Sequence, residues 1–384
     1  MFSIAEWLLH FTLFGATLLV RPLMASRRAS KAVLLTRLDS IGDIVLFTAC
    51  LPAYRRLFRD YHITLLVTEE VREIIADCPH VDEIWFMERS RFRRSISEKL
   101  RWWRRVLNQG FELAINPVYS NSFSFLDCLI GWTGSERRIA HRCVDSIRGR
   151  HMAFPFYSEL VPVEEEWKFE IDRNFDLLWY LGYKGETEYQ TWIWPSPVVP
   201  AVGSEQWIDD QPFIVVCPGS RDKTKMWPAE HFGAVIRQVS EHHPIRWLLC
   251  GDASEIPLCA QIAQTAGDDA LNLAGRLSLR QLAGVISHAE LCLGNDSGPL
   301  HLAVAQGVAG VCILGGGHHQ RFYPYPGNPG TIAIDHKLPC YHCYWQCILT
   351  ETECITRVST EKVTSAILSV LRSSTKMRES HVAV

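Results

Sequence analysis

Residues 32–58 read AVLLTRLDSIGDIVLFTACLPAYRRLF. An apolar run gives way to a polar turn and then to a helix. HITLLVTEEVREII (62–75) repeats strand then helix, and VDEIWFM (81–87) and FELAINP (111–117) add short apolar strands. Strands that alternate with helices imply a parallel sheet covered on both faces. The segment 182–211 is rich in turn residues, and its WPSPVVP breaks any regular element because proline lacks an amide donor and restricts its predecessor. The pattern then restarts with PFIVVCPGS (212–220), AEHFGAVIRQVSEHH, IRWLLCGDASE, SLRQLAGVISHA and GVCILGGG (310–317), and STEKVTSAILSVLR (359–372) reads as a closing helix. The expected architecture is α/β, with two doubly wound Rossmann-like domains whose strand-end loops face a cleft. The expected bounds are 31–195 and 196–372, with an apolar helix and basic flank in 1–30 and a polar, disordered tail in 373–384.

Composition narrows the function. The 384 residues are 47% hydrophobic and 21% charged, with a net charge of −3, which argues against a dedicated nucleic-acid binder. Of 13 cysteines, Cys50, Cys217, Cys250, Cys292 and Cys312 fall in or beside apolar runs, as free thiols do in a reducing compartment. Residues 7–20 form an apolar run that is short for a full membrane span. Arg21, Arg27, Arg28 and Lys31 follow it, the reverse of a signal peptide. The expectation is a helix in, or dipping through, the inner face of the cytoplasmic membrane; the alternative is a helix packed on the protein itself.

Four loops carry chemistry. In LGNDSGPLHLAVAQG (293–307) an apolar strand meets an apolar helix through an amide, a carboxylate and a hydroxyl. Pro299 suits a first helical turn, and Ser297 and Gly298 can offer free amides at the positive end of the helix dipole, a seat for phosphate. Asp296 would cap the helix or orient donors, and His301 lies one turn in. In CPGSRDKTKMWP (217–228), Ser220 follows a strand and Arg221, Lys223 and Lys225 crowd the loop, which suits a diphosphate. In CGDASEIP (250–257), Glu255 could accept from ribose hydroxyls. In TRLDSIGDIV (36–45), Asp43 stands where the first strand becomes a helix, either as a base or as a simple helix cap.

RLDSIGDIV, CPHVDEIW, PGS with K-x-WP, GNDSGPLHLAVAQG and a cysteine-rich end, in that order, resemble glycosyltransferase family 9, the lipopolysaccharide heptosyltransferases and their relatives. The resemblance runs from about residue 32 to residue 371. It implies the GT-B fold, with acceptor bound by the first domain and donor by the second. It implies an inverting, single displacement from a nucleotide-diphosphate sugar, usually ADP-heptose, with no cofactor and no essential metal. Asp43 falls on the family's general base; donor contacts fall on Ser220, Lys225, Glu255, Asp296, Ser297, Gly298 and His301. The chain departs from the family in GGGHHQRFYPYP after its strand GVCIL, where G-P-T is common, and in Lys168, where histidine is common.

Two features stand apart. Cys340, Cys343, Cys347 and Cys354 form a cluster whose spacing admits a tetrahedral metal, a disulfide or plain structural thiols. MERSRFRRSISEKLRWWRRVL (87–107) carries eight basic residues against Glu88 and Glu98. Arg91, Arg93 and Arg94 in it are candidates for an acidic glycolipid acceptor and for an anionic membrane surface. Two other classes stay open: a nucleotide-sugar epimerase of the same fold, and a non-enzymatic metal or redox protein built on the cysteines.

Overall fold

A computed structural model describes residues 4–20, 31–119, 125–142, 155–163, 165, 167–198, 211–267 and 270–382. These fall into two compact units, 1–166 with 171–188 and 167–170 with 189–384.

The N-terminal unit opens with α1 (Ile4–Val20). It continues through β1 (Ala32–Arg37), α2 (Ile41–Thr48), α3 (Leu51–Leu57), β2 (His62–Thr68), α4 (Arg72–Ile75), β3 (Glu83–Met87), α5 (Arg89–Arg94), α6 (Ile96–Gln109), β4 (Leu113–Asn116), α7 (Phe125–Trp132), β5 (Arg137–Arg142), β6 (Glu159–Pro162) and α8 (Glu170–Tyr180), whose first residue belongs to the other unit. The C-terminal unit runs through β7 (Phe213–Cys217), α9 (Ala229–Ser240), β8 (Arg246–Leu249), α10 (Ile256–Ala266), β9 (Ala270–Asn272), α11 (Leu279–Ile286), β10 (Leu291–Asn295), α12 (Gly298–Ala305), β11 (Gly310–Leu314), β12 (Thr331–Asp335), α13 (Glu353–Thr356) and α14 (Thr360–Val382).

Each unit holds a six-stranded sheet, ordered β3-β2-β1-β4-β5-β6 and β9-β8-β7-β10-β11-β12. All ten pairings are parallel, with Leu35 facing Leu65 and Ile115, and Val216 facing Leu249 and Leu293. The two sheets therefore share one doubly wound order, and in each the winding reverses beside the first strand, between β1 and β4 and between β7 and β10. β1, β7, β10 and β11 are buried along their whole length, which is why they read as unbroken apolar runs.

Helix α1 packs on its own unit. Leu13 and Phe14 enter the core, His10 stacks on Trp132 at 5.2 Å, and Trp132 Nε1 donates to the His10 carbonyl at 3.2 Å. Trp103 Nε1 donates to Thr17 Oγ1 at 2.9 Å, and Lys99 Nζ to Glu6 Oε1 at 3.1 Å. Leu8, Phe11, Leu18 and Leu19 point outward. Among the described residues no helix is long and apolar enough to cross a membrane. One face of α1 is thus packed on the protein itself, where indoles of α6 and α7 take up the helix's polar atoms. Residues 21–30, the expected basic flank, lie outside the described residues. At the other end, α14 continues to Val382, so the tail expected from Ser373 begins inside a helix.

Glu170 joins the C-terminal unit through a buried ion pair. Its Oε2 accepts from Arg321 Nε at 3.0 Å and Nη2 at 2.9 Å, and its N–H donates to the Arg321 carbonyl at 2.8 Å. Trp167 packs beside it against the tilted rings of His342 and Tyr344.

Candidate active site

In the N-terminal unit the loop after β1 lies at the point where the sheet's winding reverses. Ser40 is the cap of α2 and Asp43 is three residues in, so the aspartate is not itself the cap. Asp43 Oδ2 accepts from Ser40 N at 3.2 Å and from Ser40 Oγ at 2.5 Å. Its Oδ1 faces Arg37 Nη2 at 3.6 Å. Arg37 is 1% exposed, and also meets Asp39 Oδ2 at 2.8 Å and Asn174 Oδ1 at 3.0 Å. A buried guanidinium therefore fixes both acidic side chains of the loop. Arg37 went unread because a basic residue closing an apolar strand looks like the start of the solvent-facing turn.

In the C-terminal unit the loops after β7, β8 and β10 converge. Asn295, fully buried at the end of β10, donates through Nδ2 to the Pro218 carbonyl at 2.6 Å and accepts through Oδ1 from Trp227 N–H at 3.1 Å. This amide joins the P-G-S loop to the helix that follows Lys225. Lys225 Nζ lies 3.5 Å from Asp296 Oδ2 and 5.0 Å over the Trp345 ring. Asp296 thus orients the lysine, one of the roles its position allowed. Ser297 caps α12, with Gly298 and Pro299 in the first turn. Ser297 Oγ is buried with no hydrogen-bond partner among the described residues, which is uncommon for a buried hydroxyl. His301, 3% exposed, meets Tyr325 OH through Nδ1 at 3.0 Å.

Glu255 sits against the same floor. A Cβ on Gly219 would fall 1.6 Å from its Oε1, so the glycine before Ser220 is what lets the carboxylate in. Burial pushes the Glu255 carboxyl above its usual range, opposed by a hydrogen bond from the Asp252 N–H at 3.0 Å. Ser220 itself is half-buried at the rim.

The GGG run after β11 is a second floor. Cβ atoms on Gly315 and Gly317 would meet Trp345 at 2.6 and 2.4 Å, and one on Gly316 would meet Tyr341 at 2.3 Å. His342, Tyr344 and Trp345 have left-handed φ of 67°, 52° and 61°, held by hydrogen bonds from His342 and Tyr344 amides to Gly316 and Gly317 carbonyls. Trp345, beneath Lys225, was missed because its role depends on glycines some thirty residues earlier.

The twelve described cysteines form no disulfide with one another. Cys340, Cys343, Cys347 and Cys354 line one cavity of about 10 Å³, and among the described residues no three His, Cys, Asp or Glu side chains are grouped as metal ligands. Burial raises the Cys250 and Cys312 thiols far above the reactive range. The arginines of the basic run separate: Arg91 pairs with Glu98, Arg94 Nε donates to the Ser90 carbonyl, and the Arg93 carbonyl accepts from Lys99.

Two doubly wound units, each with polar residues gathered at its winding reversal, are the architecture of the GT-B class. The chain belongs to glycosyltransferase family 9 (heptosyltransferase), whose model matches residues 101–350. A lipopolysaccharide core heptosyltransferase of Haemophilus influenzae, OpsX, is 21% identical over 80% of this chain and 85% of its own. Among solved structures, a family 9 glycosyltransferase of Veillonella parvula superposes with a TM-score of 0.72 at 19% identity, covering 89% of this chain and 98% of its own. The E. coli ADP-heptose LPS heptosyltransferase II superposes at 0.66 and 17% identity, covering 90% of this chain and 99% of its own.

Proposed function

We propose that the protein transfers heptose from ADP-heptose to a lipopolysaccharide-core or related envelope glycolipid, by an inverting displacement that needs no metal. The observation that carries this is the α12 start: an unpartnered buried hydroxyl on Ser297, helix amides behind it, and a lysine oriented by Asp296. That set suits a diphosphate. The donor named for the E. coli relative contains one.

In this reading Asp43 removes the proton of the acceptor hydroxyl as its oxygen bonds to the anomeric carbon. The bond from that carbon to the diphosphate oxygen breaks, and the electron pair leaves with ADP. Lys225 and the amides at Ser297 and Gly298 meet the developing charge. Arg37 and Ser40 hold the Asp43 carboxylate in place. Ser220 and Glu255 line the donor floor, Glu255 toward ribose, and His301 supports the helix start from within. The outward Leu8, Phe11, Leu18 and Leu19 of α1 and the basic run after β3 are the surfaces that would rest on the anionic inner face of the cytoplasmic membrane.

Asp43→Asn should fold and bind ADP normally but lose about 10²–10⁴-fold in turnover, the usual share of a positioned base. Transfer to extracted glycolipid, followed by mass spectrometry, reads this directly. Turnover near that of the parent would remove Asp43 from the mechanism, and an absolute requirement for added Mg²⁺ would remove the metal-free displacement.

A further inference from the structure

Trp345 stands beside the lysine of the candidate donor site, on a loop whose cysteines take no part in the proposed transfer. We propose that Trp345 is a positioning residue. Its ring holds the Lys225 ammonium at the diphosphate seat, and the glycine run and the cysteine loop serve to present that ring. The proposal rests on the donor reading for the diphosphate, and on the Lys225–Trp345 pair for everything else.

Lys225 needs a second anchor. A lysine head sits on a flexible four-carbon stem with large rotamer freedom. Asp296 Oδ2 meets Nζ at 3.5 Å, the long end of a hydrogen bond. A further carboxylate would neutralise the ammonium and repel a diphosphate. An aromatic ring does neither. Its quadrupole attracts a cation within about 6 Å of the centroid, and it offers no lone pair that would compete with ligand oxygens. Nζ lies 5.0 Å over the Trp345 ring, and the lysine side chain is 17% exposed, so the attraction is little screened. The three donors of the ammonium stay available to Asp296 and to a bound anion.

The loop is built around the indole. A Cβ on Gly317 would meet both atoms of the fused bond, Cδ2 and Cε2, at 2.4 Å, so the ring system lies against bare backbone. Nε1 donates to His318 Nδ1 at 3.2 Å, which sets the rotation of the ring. Cys354 Sγ accepts from the Gly316 N–H at 3.4 Å and pins the middle glycine. Thr224, next to Lys225, shares the walls of the small cysteine cavity with Trp345, Cys340, Cys343, Cys347 and Cys354, so the lysine loop and the cysteine loop meet there. Trp345 itself has a left-handed φ of 61°. That conformation is strained for a residue with a Cβ, persists only where surrounding contacts over-determine it, and collects at ligand-binding positions. A ring that merely filled space could be seated without it.

The test is a double-mutant cycle on the full chain, read by calorimetric titration with ADP. Trp345→Leu should weaken ADP binding about 5- to 30-fold, the range of a largely desolvated contact between cation and ring. In a Lys225→Met background the same change should cost less than about twofold. Trp345→Phe keeps a ring face and should recover most of the affinity. Equal losses in both backgrounds would reduce Trp345 to packing and overturn the proposal, as would a Trp345→Leu variant that binds ADP like the parent. A second measurement needs neither donor nor a leucine variant that folds. After reductive methylation of the lysines with isotope-labelled methyl groups, the Lys225 signal is the one absent from Lys225→Met. The ring current of Trp345 should move it upfield of the other lysines in the parent; a Lys225 signal among the others would overturn the pair. A parent that binds no ADP, or a Lys225→Met variant that binds it like the parent, sinks the donor reading and this proposal with it, and the methyl signal then still tells whether the pair exists.

Discussion

Asn295 holds two loops together with one amide, and its neighbours depend on it. Replacing it with alanine leaves the Trp227 N–H and the Pro218 carbonyl without their buried partner, each worth about 1–3 kcal/mol. Asn295→Ala should therefore lower the melting temperature and weaken ADP binding together; a variant that melts and binds like the parent would show that the amide is dispensable. Asn295→Asp keeps the acceptor but loses the donor and places a second carboxylate beside Asp296, so it should bind ADP more weakly still. Asp43, Asp296, Ser297 and Lys225 were legible in the sequence because a polar residue at the end of an apolar run has few other reasons to be there. Asn295 sits inside the same quoted stretch and still escaped, since its partners lie some seventy residues away. Arg37 escaped likewise, its bonds to Asp39 and Asn174 being a matter of tertiary packing.

Among the elements, α1 shows how far composition reaches. Seventeen residues of mostly apolar sequence announce a helix that must bury one face, but they do not say against what. The answer lies in Trp103 and Trp132, whose indole N–H groups find acceptors on α1. Docking carries a pH dependence. Burial, aided by Lys99, lowers the His10 pKa from 6.5 to about 4. The detached helix then binds a proton that the docked one refuses. Docking is at full strength above pH 6.5 and weakens as pH falls from 6.5 toward 4. Protection factors of α1 amides, corrected for the pH dependence of intrinsic exchange, should fall over that window in the parent and stay flat in His10→Gln; constant protection in the parent would discard the idea. Strands fared unevenly for a related reason. β1, β7 and β10 are buried throughout and stood out, whereas β5 (RRIAHR) has charged ends and β9 has three residues, too few for any pattern.

At the scale of the whole molecule, one strand order appears twice and each copy keeps its polar residues at its own winding reversal. On the proposed reading, donor and base belong to separate folding units, and a ligand should report on one of them. ADP should slow amide exchange in the loops after β7, β8 and β10 and at the start of α12, more than anywhere in the β1–α2 loop. Protection centred on residues 38–43 would reverse the assignment. The pair Glu170–Arg321 has a consequence for recombination. A chimera that keeps residues 189–384 and takes everything before them from a distant relative looks like a clean exchange, because the crossover falls in connecting chain. Yet it strands Arg321, 8% exposed, without the carboxylate that Glu170 supplies from outside the exchanged block. Losing one partner of a buried pair costs about 3–5 kcal/mol. Hybrids of this enzyme should express only when the C-terminal half brings residues 167–170 with it, or when the incoming half happens to carry an acid at that position.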